Sequence, residues 1–135
     1  MIHYLIDTNV VSETRKPRPH AGALAWLKSL DVGQAFFSAV TLGEIQKGIE
    51  LTRQQDPAKA NEIEAWATQL ASMSEVLSMD ATCFREYART MHRRSDTVRE
   101  DAMIAATARI YGLTVATRNE RDFRNLGVAL FNPFR

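Results

Sequence analysis

Several features that mark special classes of protein are scarce or absent in this sequence. Its single cysteine, Cys83, excludes an internal disulfide and a thiolate zinc site, and it suits a reducing compartment such as the cytoplasm. No apolar run approaches the roughly 18 residues that a membrane-spanning helix needs. The 17 basic and 16 acidic residues give a net charge of +1, so any polyanion must bind to a local patch. No glycine-rich phosphate loop follows the first predicted strand, which excludes a dinucleotide-binding module.

The first residues lack the basic segment and the long apolar stretch of a secretory signal, so we expect neither secretion nor membrane insertion. With 45% apolar and 24% charged residues, the composition is that of a globular protein. Repeats, linkers and low-complexity stretches are absent. The length of 135 residues therefore predicts one domain over residues 1–135.

Segments typical of strands alternate with segments typical of helices. Strands are predicted at residues 2–6, 35–38, 76–77, 113–117 and 128–131. Helices are predicted just after Asp7, at residues 21–30, from Thr41 to about residue 53, from Pro57 to about residue 73, and at about residues 81–94 and 98–111. Thr41 and Glu44 have the spacing of a capping box. The alternation predicts an α/β fold of three layers, α/β/α, with a central, mainly parallel sheet of four to five strands.

Three acidic residues stand near strand ends or helix starts, where parallel α/β proteins collect their ligands. Asp7 ends the first strand, Glu44 lies one turn into the helix after the second, and Asp101 lies at the margin of an apolar helix. Asp7 also fits a helix cap, and Glu44 also fits the capping-box partner of Thr41. Asp101 is costly at the edge of a buried helix unless another group pairs with it.

A fourth polar group follows the strand at residues 113–117. Asn119 and Asp122 are three residues apart and share a face of a helical turn, although Asn119 also fits a helix cap. Carboxylates gathered at one site repel one another unless a cation neutralises them. Oxygen ligands without cysteine or paired histidines favour Mg²⁺ or Mn²⁺ over zinc. The scattered His3, His20 and His92 are not expected to be ligands.

Two groups of basic side chains are candidates for binding nucleic acid. The first is a stripe with helical spacing and the second is a cluster beyond the first helix: Arg85, Arg89 and Arg93 in the stripe, and Arg15, Lys16 and Arg18 in the cluster. The stripe also fits a solvated, charged helix face, and the sequence leaves both interpretations open.

Four segments, in order along nearly the whole chain, resemble the PIN-domain ribonucleases, especially the VapC and FitB-like toxins of type II toxin–antitoxin systems. They are LIDTNVVSE at residues 5–13, TLGEIQKGI at residues 41–49, DAMIAATA at residues 101–108 and ATRNERDF at residues 116–123. Each motif alone is weak, whereas four in this order are specific. The resemblance implies a PIN-like fold and a metal-dependent endoribonuclease.

The resemblance also implies roles for individual residues. It gives three metal-binding catalytic acids and two supporting hydroxyl groups, namely Asp7, Glu44, Asp101, Thr8 and Thr117. Many members of the family have an acidic residue where this chain has Asn119. The fourth position is therefore filled by Asn119 as a neutral metal ligand, by Asp122, or through water.

The implied reaction is hydrolysis of RNA phosphodiester bonds by a water that Mg²⁺ or Mn²⁺ activates, leaving 5′-phosphate and 3′-hydroxyl ends. The implied partners are the RNA substrate, a cognate antitoxin and a second copy of the chain in a homodimer. DNA would be contacted only indirectly, through the antitoxin.

Two other functions remain as alternatives. One is a non-catalytic PIN-like module that only binds RNA. The other is a phosphatase of the haloacid dehalogenase type, whose nucleophile motif also follows a first strand. That motif requires a second aspartate where this chain has Asn9, and no later segment with a lysine and paired acids completes it.

Overall fold

The computed structural model describes residues 1–94 and 99–135 of the chain. The strands are β1 (Tyr4–Ile6), β2 (Ala35–Ser38), β3 (Glu75–Leu77), β4 (Thr114–Ala116) and β5 (Leu130–Phe131). The helices are α1 (Thr8–Val11), α2 (Ala21–Ser29), α3 (Ala39–Arg53), α4 (Pro57–Met73), α5 (Ala81–Met91), α6 (Arg99–Tyr111) and α7 (Glu120–Phe123), with a 3-10 turn at Ser12–Arg15. Within this described part of the chain, no helix combines the length and hydrophobicity needed to cross a membrane.

The five strands form one parallel sheet in the order β3-β2-β1-β4-β5. At its centre, Leu5 lies opposite Phe36 of β2 and Val115 of β4. The chain builds outward from β1 through β2 to β3, and then returns to β4 and β5 on the other side of β1. This reversal makes the carboxyl ends of β1 and β4 a topological switch point, which is where open parallel sheets bind ligands.

Hydrophobic clusters cover both faces of the sheet, because successive residues of a strand point to opposite faces. Leu5 and Val115 pack with residues of α6 on one face. Ile6 and Ala116 pack with residues of α1, α3 and α4 on the other. The α/β/α arrangement predicted from the alternating pattern is therefore confirmed, and the sheet is parallel throughout its five strands.

Small residues allow α6 to pack closely against the sheet. Four of its alanines are fully buried: Ala102, Ala105, Ala106 and Ala108. The helix ends before Gly112, whose φ of 67° favours glycine, and β4 begins soon after at Thr114. Because α6 thus runs antiparallel to the strands, Asp101 in its first turn lies toward the same edge of the sheet as Asp7.

The start of α3 differs from the prediction. The helix begins at Ala39, and the Ser38 hydroxyl caps it by accepting a hydrogen bond from the Val40 N–H at 3.1 Å. The predicted capping box of Thr41 and Glu44 is wrong, because β2 leads into α3 without a loop and Ser38 takes the cap position. Thr41 lies inside the helix, and its buried hydroxyl has no hydrogen-bond partner among the described residues.

The helix predicted at residues 81–94 is too long. α5 ends at Met91, His92 is its C-cap, and Arg93 adopts a positive φ of 67° that no α-helix contains. For the next helix, the predicted start at Val98 lies outside the described residues, and the structure describes that helix from Arg99. The strands at residues 2–6, 113–117 and 128–131 are each shorter than predicted.

The central strand gives a test of the fold. Leu5 is fully buried on β1, between β2 and β4. The substitution Leu5→Ala should therefore lower the free energy of unfolding by about 2–5 kcal/mol, because it leaves a cavity in the core. The matched control is Leu51→Ala, since Leu51 is 58% exposed and its truncation should cost less than about 0.5 kcal/mol. Denaturant unfolding of both variants measures the difference, and equal losses would contradict the assignment of Leu5 to the core.

Candidate active site

Asp7 lies at the switch point, and its side chain is almost fully buried, with 5% exposed. Its N–H donates to the Ala116 carbonyl at 2.9 Å, which ties the end of β1 to the end of β4. Its Oδ1 accepts a hydrogen bond from the Thr8 N–H at 2.9 Å, so Asp7 caps α1. Its Oδ2 accepts from the Thr117 hydroxyl at 2.8 Å and from the Asn9 amide at 3.1 Å. Asp7 is therefore both a helix cap and the centre of a polar network.

Asn9 is a member of this network that the sequence patterns did not assign to the site. Its amide nitrogen donates to Asp7 and, at 3.2 Å, to the Thr117 hydroxyl. Its amide oxygen accepts from the Arg118 N–H at 2.9 Å. The Thr117 hydroxyl also accepts from the Asn119 N–H at 3.0 Å. The sequence feature that could have identified Asn9 is its position two residues after Asp7, directly beyond a buried strand.

Glu44 projects from α3 toward this network and is partly buried. Its Oε1 accepts a hydrogen bond from the Thr8 hydroxyl at 3.3 Å. Burial raises the pKa of Glu44 to about 7, and the negative charges of Asp7 and Asp101 add to the effect. The carboxylate that was predicted to cap α3 therefore contacts α1 instead.

Asp101, in the first turn of α6, belongs to the same electrostatic group. Burial and, to a smaller extent, the charges of Asp7 and Asp122 together raise its pKa to about 6. Burial also raises the pKa of Asp7, although its hydrogen bonds from Thr117, Thr8 and Asn9 oppose the shift by stabilising the charged form. The three acids predicted at separate points of the sequence thus lie close enough to influence one another.

Asn119 immediately precedes α7, and Asp122 lies within that helix. Asn119 holds the N-cap position, but its side chain forms no capping hydrogen bond. Asp122 is exposed, and its charge contributes to the raised pKa of both Asp7 and Asp101. Of the two residues that the sequence left open, Asp122 is the one whose charge reaches the other acids.

The acids have no cationic partner in the described part of the chain: no ion pair there involves Asp7, Glu44, Asp101 or Asp122. Their side chains are also not arranged as a metal-binding cluster: among the described residues, no three His, Cys, Asp or Glu side chains are placed to hold one metal ion. The arrangement is a loose group of carboxylates whose charges repel one another.

The predicted basic stripe of Arg85, Arg89 and Arg93 does not lie on one helix, because only Arg85 and Arg89 belong to α5. Arg93 lies beyond the end of α5, and Arg89 pairs with Glu86 at 3.1 Å. Glu86 in turn pairs with Arg109 at 3.2 Å, near the last turn of α6. Because α6 ends toward the amino edge of the sheet, Arg89 lies toward the edge opposite Asp7. Arg85 is exposed on α5.

The second basic group is engaged in local contacts. Lys16 pairs with the buried Glu13, and Arg15 stacks on Trp66 with its guanidinium carbon 5.7 Å from the ring centroid. Arg18 is exposed. Arg15 borders a cavity of about 220 Å³ that also reaches Glu44.

A test of the acidic group is the stability of the metal-free protein as a function of pH. In the folded chain the pKa of Glu44 is about 7, above its ordinary value of 4.5, so folding favours the protonated form. This contribution to stability is complete below about pH 4.5 and is lost as the pH rises through about 7. Glu44→Gln should therefore be more stable than the wild type by about 1–3 kcal/mol at about pH 8 and show little difference at about pH 4.

The measurement is denaturant unfolding in EDTA across this pH range. Glu62→Gln serves as the control, because Glu62 is exposed on α4 and far more accessible to water. A Glu44→Gln variant whose stability follows the wild type at every pH would contradict the raised pKa.

The comparisons with known proteins agree with this geometry. Residues 4–129 match the PIN domain family. Toxin FitB of Neisseria gonorrhoeae is 32% identical over 137 residues, which cover 96% of this chain and 97% of the relative. VapC ribonuclease Y4jK of Sinorhizobium fredii is 30% identical over 136 residues, with 96% of each chain covered. The structure of FitAB bound to an IR36 DNA fragment superimposes with a TM-score of 0.84 at 32% identity, covering 98% of this chain and 96% of that chain. The resemblance found in the four sequence motifs is confirmed, and the chain belongs to the PIN-domain family.

Proposed function

We propose that this chain is a metal-dependent endoribonuclease and the toxin of a toxin–antitoxin pair. The observation that carries the proposal is the position of Asp7, Glu44 and Asp101 at the switch point of the sheet. All three have raised pKa values, the charge of Asp7 contributes to the shifts of the other two, and none has a cationic partner among the described residues. Such an arrangement is unfavourable for stability and is typical of a site that binds a cation and a substrate.

The names of the relatives support the same function. One relative is named a toxin and another a ribonuclease, and both align with almost the whole chain at 30% identity or more. We accordingly propose that the substrate is RNA in the cytoplasm. We also propose that residues 1–135 form one domain.

The chemistry of the donor atoms fits a divalent metal ion. Asp7, Glu44 and Asp101 offer only carboxylate oxygens, which Mg²⁺ and Mn²⁺ prefer over the nitrogen and sulfur ligands of zinc. We propose these three residues as the metal-binding acids, with Asp122 or Asn119 at the fourth position. When bound, the ion would neutralise the carboxylates and supply Lewis acidity toward water and the phosphodiester.

The remaining residues position the acids. Thr117 and Asn9 both donate to Oδ2 of Asp7, which fixes the orientation of that carboxylate. Thr8 donates its backbone N–H to Asp7 and its hydroxyl to Glu44, so one residue sets the relative position of two acids. We therefore assign Thr8 and Thr117 the supporting role that the resemblance implied, and we add Asn9.

The proposed partners follow from the relatives. The FitAB structure contains DNA as well as the FitB-type chain, and we propose that this chain likewise binds a cognate antitoxin that contacts DNA. We also propose a homodimer. The alternative is a PIN-like module that binds RNA without cutting it, and cleavage assays separate the two.

Cleavage of total cellular RNA by the purified protein tests the enzyme assignment. With Mg²⁺ or Mn²⁺ present, Asp7→Asn should reduce cleavage by about 100-fold or more, because the amide keeps the helix cap but loses the charge that binds the cation. EDTA should abolish cleavage. The ends should be 5′-phosphate and 3′-hydroxyl, and a 2′,3′-cyclic phosphate would contradict the proposed reaction.

Asp80→Asn is a closely matched control. Asp80 also follows a strand and caps a helix, since its Oδ1 accepts from the Cys83 N–H at 3.0 Å, but it lies outside the acidic group. It should retain wild-type cleavage. Metal-independent RNA binding with no cleavage by the wild type would favour the non-catalytic alternative.

A pair of variants distinguishes the two candidates for the fourth position. Asp122→Asn should lower cleavage by roughly 10–100-fold, because the charge of Asp122 reaches Asp7 and Asp101. Asn119→Ala should have a smaller effect, since the Asn119 side chain forms no capping bond and carries no charge. The measurement is the initial rate at several Mg²⁺ concentrations, and the opposite ranking would assign the position to Asn119.

A further inference from the structure

A cleft of about 380 Å³ opens beyond the carboxyl end of β4, next to the acidic group. Its walls carry an unusual concentration of guanidinium groups, from Arg118, Arg121, Arg124 and Arg135, and it also reaches Asn119 and Asp122. We call it the arginine cleft. None of these arginines belongs to the two basic groups that the sequence spacing singled out.

Arg118 is held in place before any ligand arrives. Its guanidinium carbon lies 3.8 Å from the centroid of the Phe134 ring, and its backbone N–H donates to Asn9. Phe134 is itself positioned by its N–H, which donates to Asn132 at 2.9 Å, and by the edge-on ring of His20 at 5.0 Å. Stacking occupies the face of the guanidinium and leaves its N–H edges for an anion.

The other arginines leave the cleft with excess positive charge. Arg135 pairs with Glu120 at 2.8 Å. Arg121 and Arg124 are exposed, and neither forms a side-chain hydrogen bond or an ion pair with another described residue. Within the described chain, Arg118, Arg121 and Arg124 form no ion pair, although the charge of Arg118 contributes to the lowered pKa of Glu13.

The cleft and the acidic group are neighbours. Asp122 lines the cleft, and its charge reaches Asp7 and Asp101. The Thr117 hydroxyl bonds to Asp7, and the following residue is Arg118. A polymer whose backbone enters the acidic site therefore has its neighbouring groups beside the arginines.

We propose that the arginine cleft binds phosphate groups of the RNA backbone next to the bond that is cut. This inference rests on the proposed ribonuclease function, which it deepens by naming Arg118, Arg121 and Arg124 as substrate-binding residues. Guanidinium groups match phosphate oxygens with two parallel hydrogen bonds. The acidic site repels phosphates unless a cation is bound, so a separate basic surface is needed to hold the RNA in register.

The stripe on α5 is less suited to this role. Asp101 and Arg109 are eight residues apart on α6, which corresponds to about 12 Å along the helix axis. Arg89 is linked through Glu86 to Arg109, so it lies at the distant end of that helix. The arginine cleft, in contrast, shares Asp122 with the acidic group.

Binding of a short, labelled single-stranded RNA in EDTA tests the proposal without cleavage. The double variant Arg121→Gln, Arg124→Gln should weaken binding by roughly tenfold at low salt, and it should reduce the slope of log Kd against log salt by about 1.4, because two phosphate contacts are lost. Arg85→Gln, Arg89→Gln removes the same charge from exposed positions on α5 and should leave both quantities near the wild-type values.

Equal weakening by the two double variants would overturn the assignment, because it would reduce the effect to net charge. Unchanged RNA binding by the cleft variant would overturn it as well. A glutamate-rich peptide whose binding is lost in the cleft variant, while RNA binding persists, would assign the cleft to an acidic protein segment instead. If the wild type binds RNA through the cleft but never cuts it, the ribonuclease function fails while the assignment of the cleft to RNA phosphates stands.

RNA affinity of variants at Arg118 tests the role of its stacking on Phe134. Arg118→Lys keeps the positive charge but loses the planar group that stacks on Phe134, so its RNA affinity should fall between those of the wild type and Arg118→Gln. Thermal unfolding of both variants controls for a change in fold. Wild-type affinity in Arg118→Lys would show that charge alone matters at this position.

Discussion

The buried carboxylate of Asp7 is the constraint on which the rest of the site depends. A buried charge is costly unless it is hydrogen-bonded, and here three donors from two parts of the chain offset that cost: the Thr8 backbone, the Asn9 amide and the Thr117 hydroxyl. Because Thr117 follows β4, these bonds join the first and fourth strands in a single arrangement. They also fix where α1 begins and where the chain leaves for α7.

The other acids are placed relative to that fixed point. Glu44 is linked to it through the Thr8 hydroxyl, and Asp101 reaches it because α6 runs antiparallel to the strands. Burial and mutual repulsion raise their pKa values, which means that the folded chain holds charge that it would be more stable without. The hydrophobic clusters on the two faces of the sheet offset the stability that these acids cost at its carboxyl edge. This is the pattern expected where a protein retains unfavourable groups for their chemistry.

Opposite charges lie side by side at this edge. The carboxylates suit a divalent cation and the arginine cleft suits phosphate oxygens, so the two halves together match a phosphodiester chain with a cation at one of its groups. Consecutive residues link the two halves, since the Thr117 hydroxyl donates a hydrogen bond to Asp7 and the next residue, Arg118, stacks on Phe134. A protein with a net charge of only +1 can in this way bind a polyanion through a local surface.

The sequence alone determined the alternation of strands and helices, the parallel sheet and the identity of the acids, because hydrophobic periodicity and short polar motifs are local features. The motifs around Asp7, Glu44 and Asp101 were also enough to recognise the family. Local rules failed where a neighbouring element intervened: Ser38 displaced Thr41 as the cap of α3, and α5 stopped before Arg93 could join a stripe. The pairing of Asn9 with Thr117, the effect of Asp122 on Asp7 and the stacking of Arg118 on Phe134 join residues that are distant along the chain. Only the tertiary structure decides such contacts, because they depend on which strand ends the sheet order brings together.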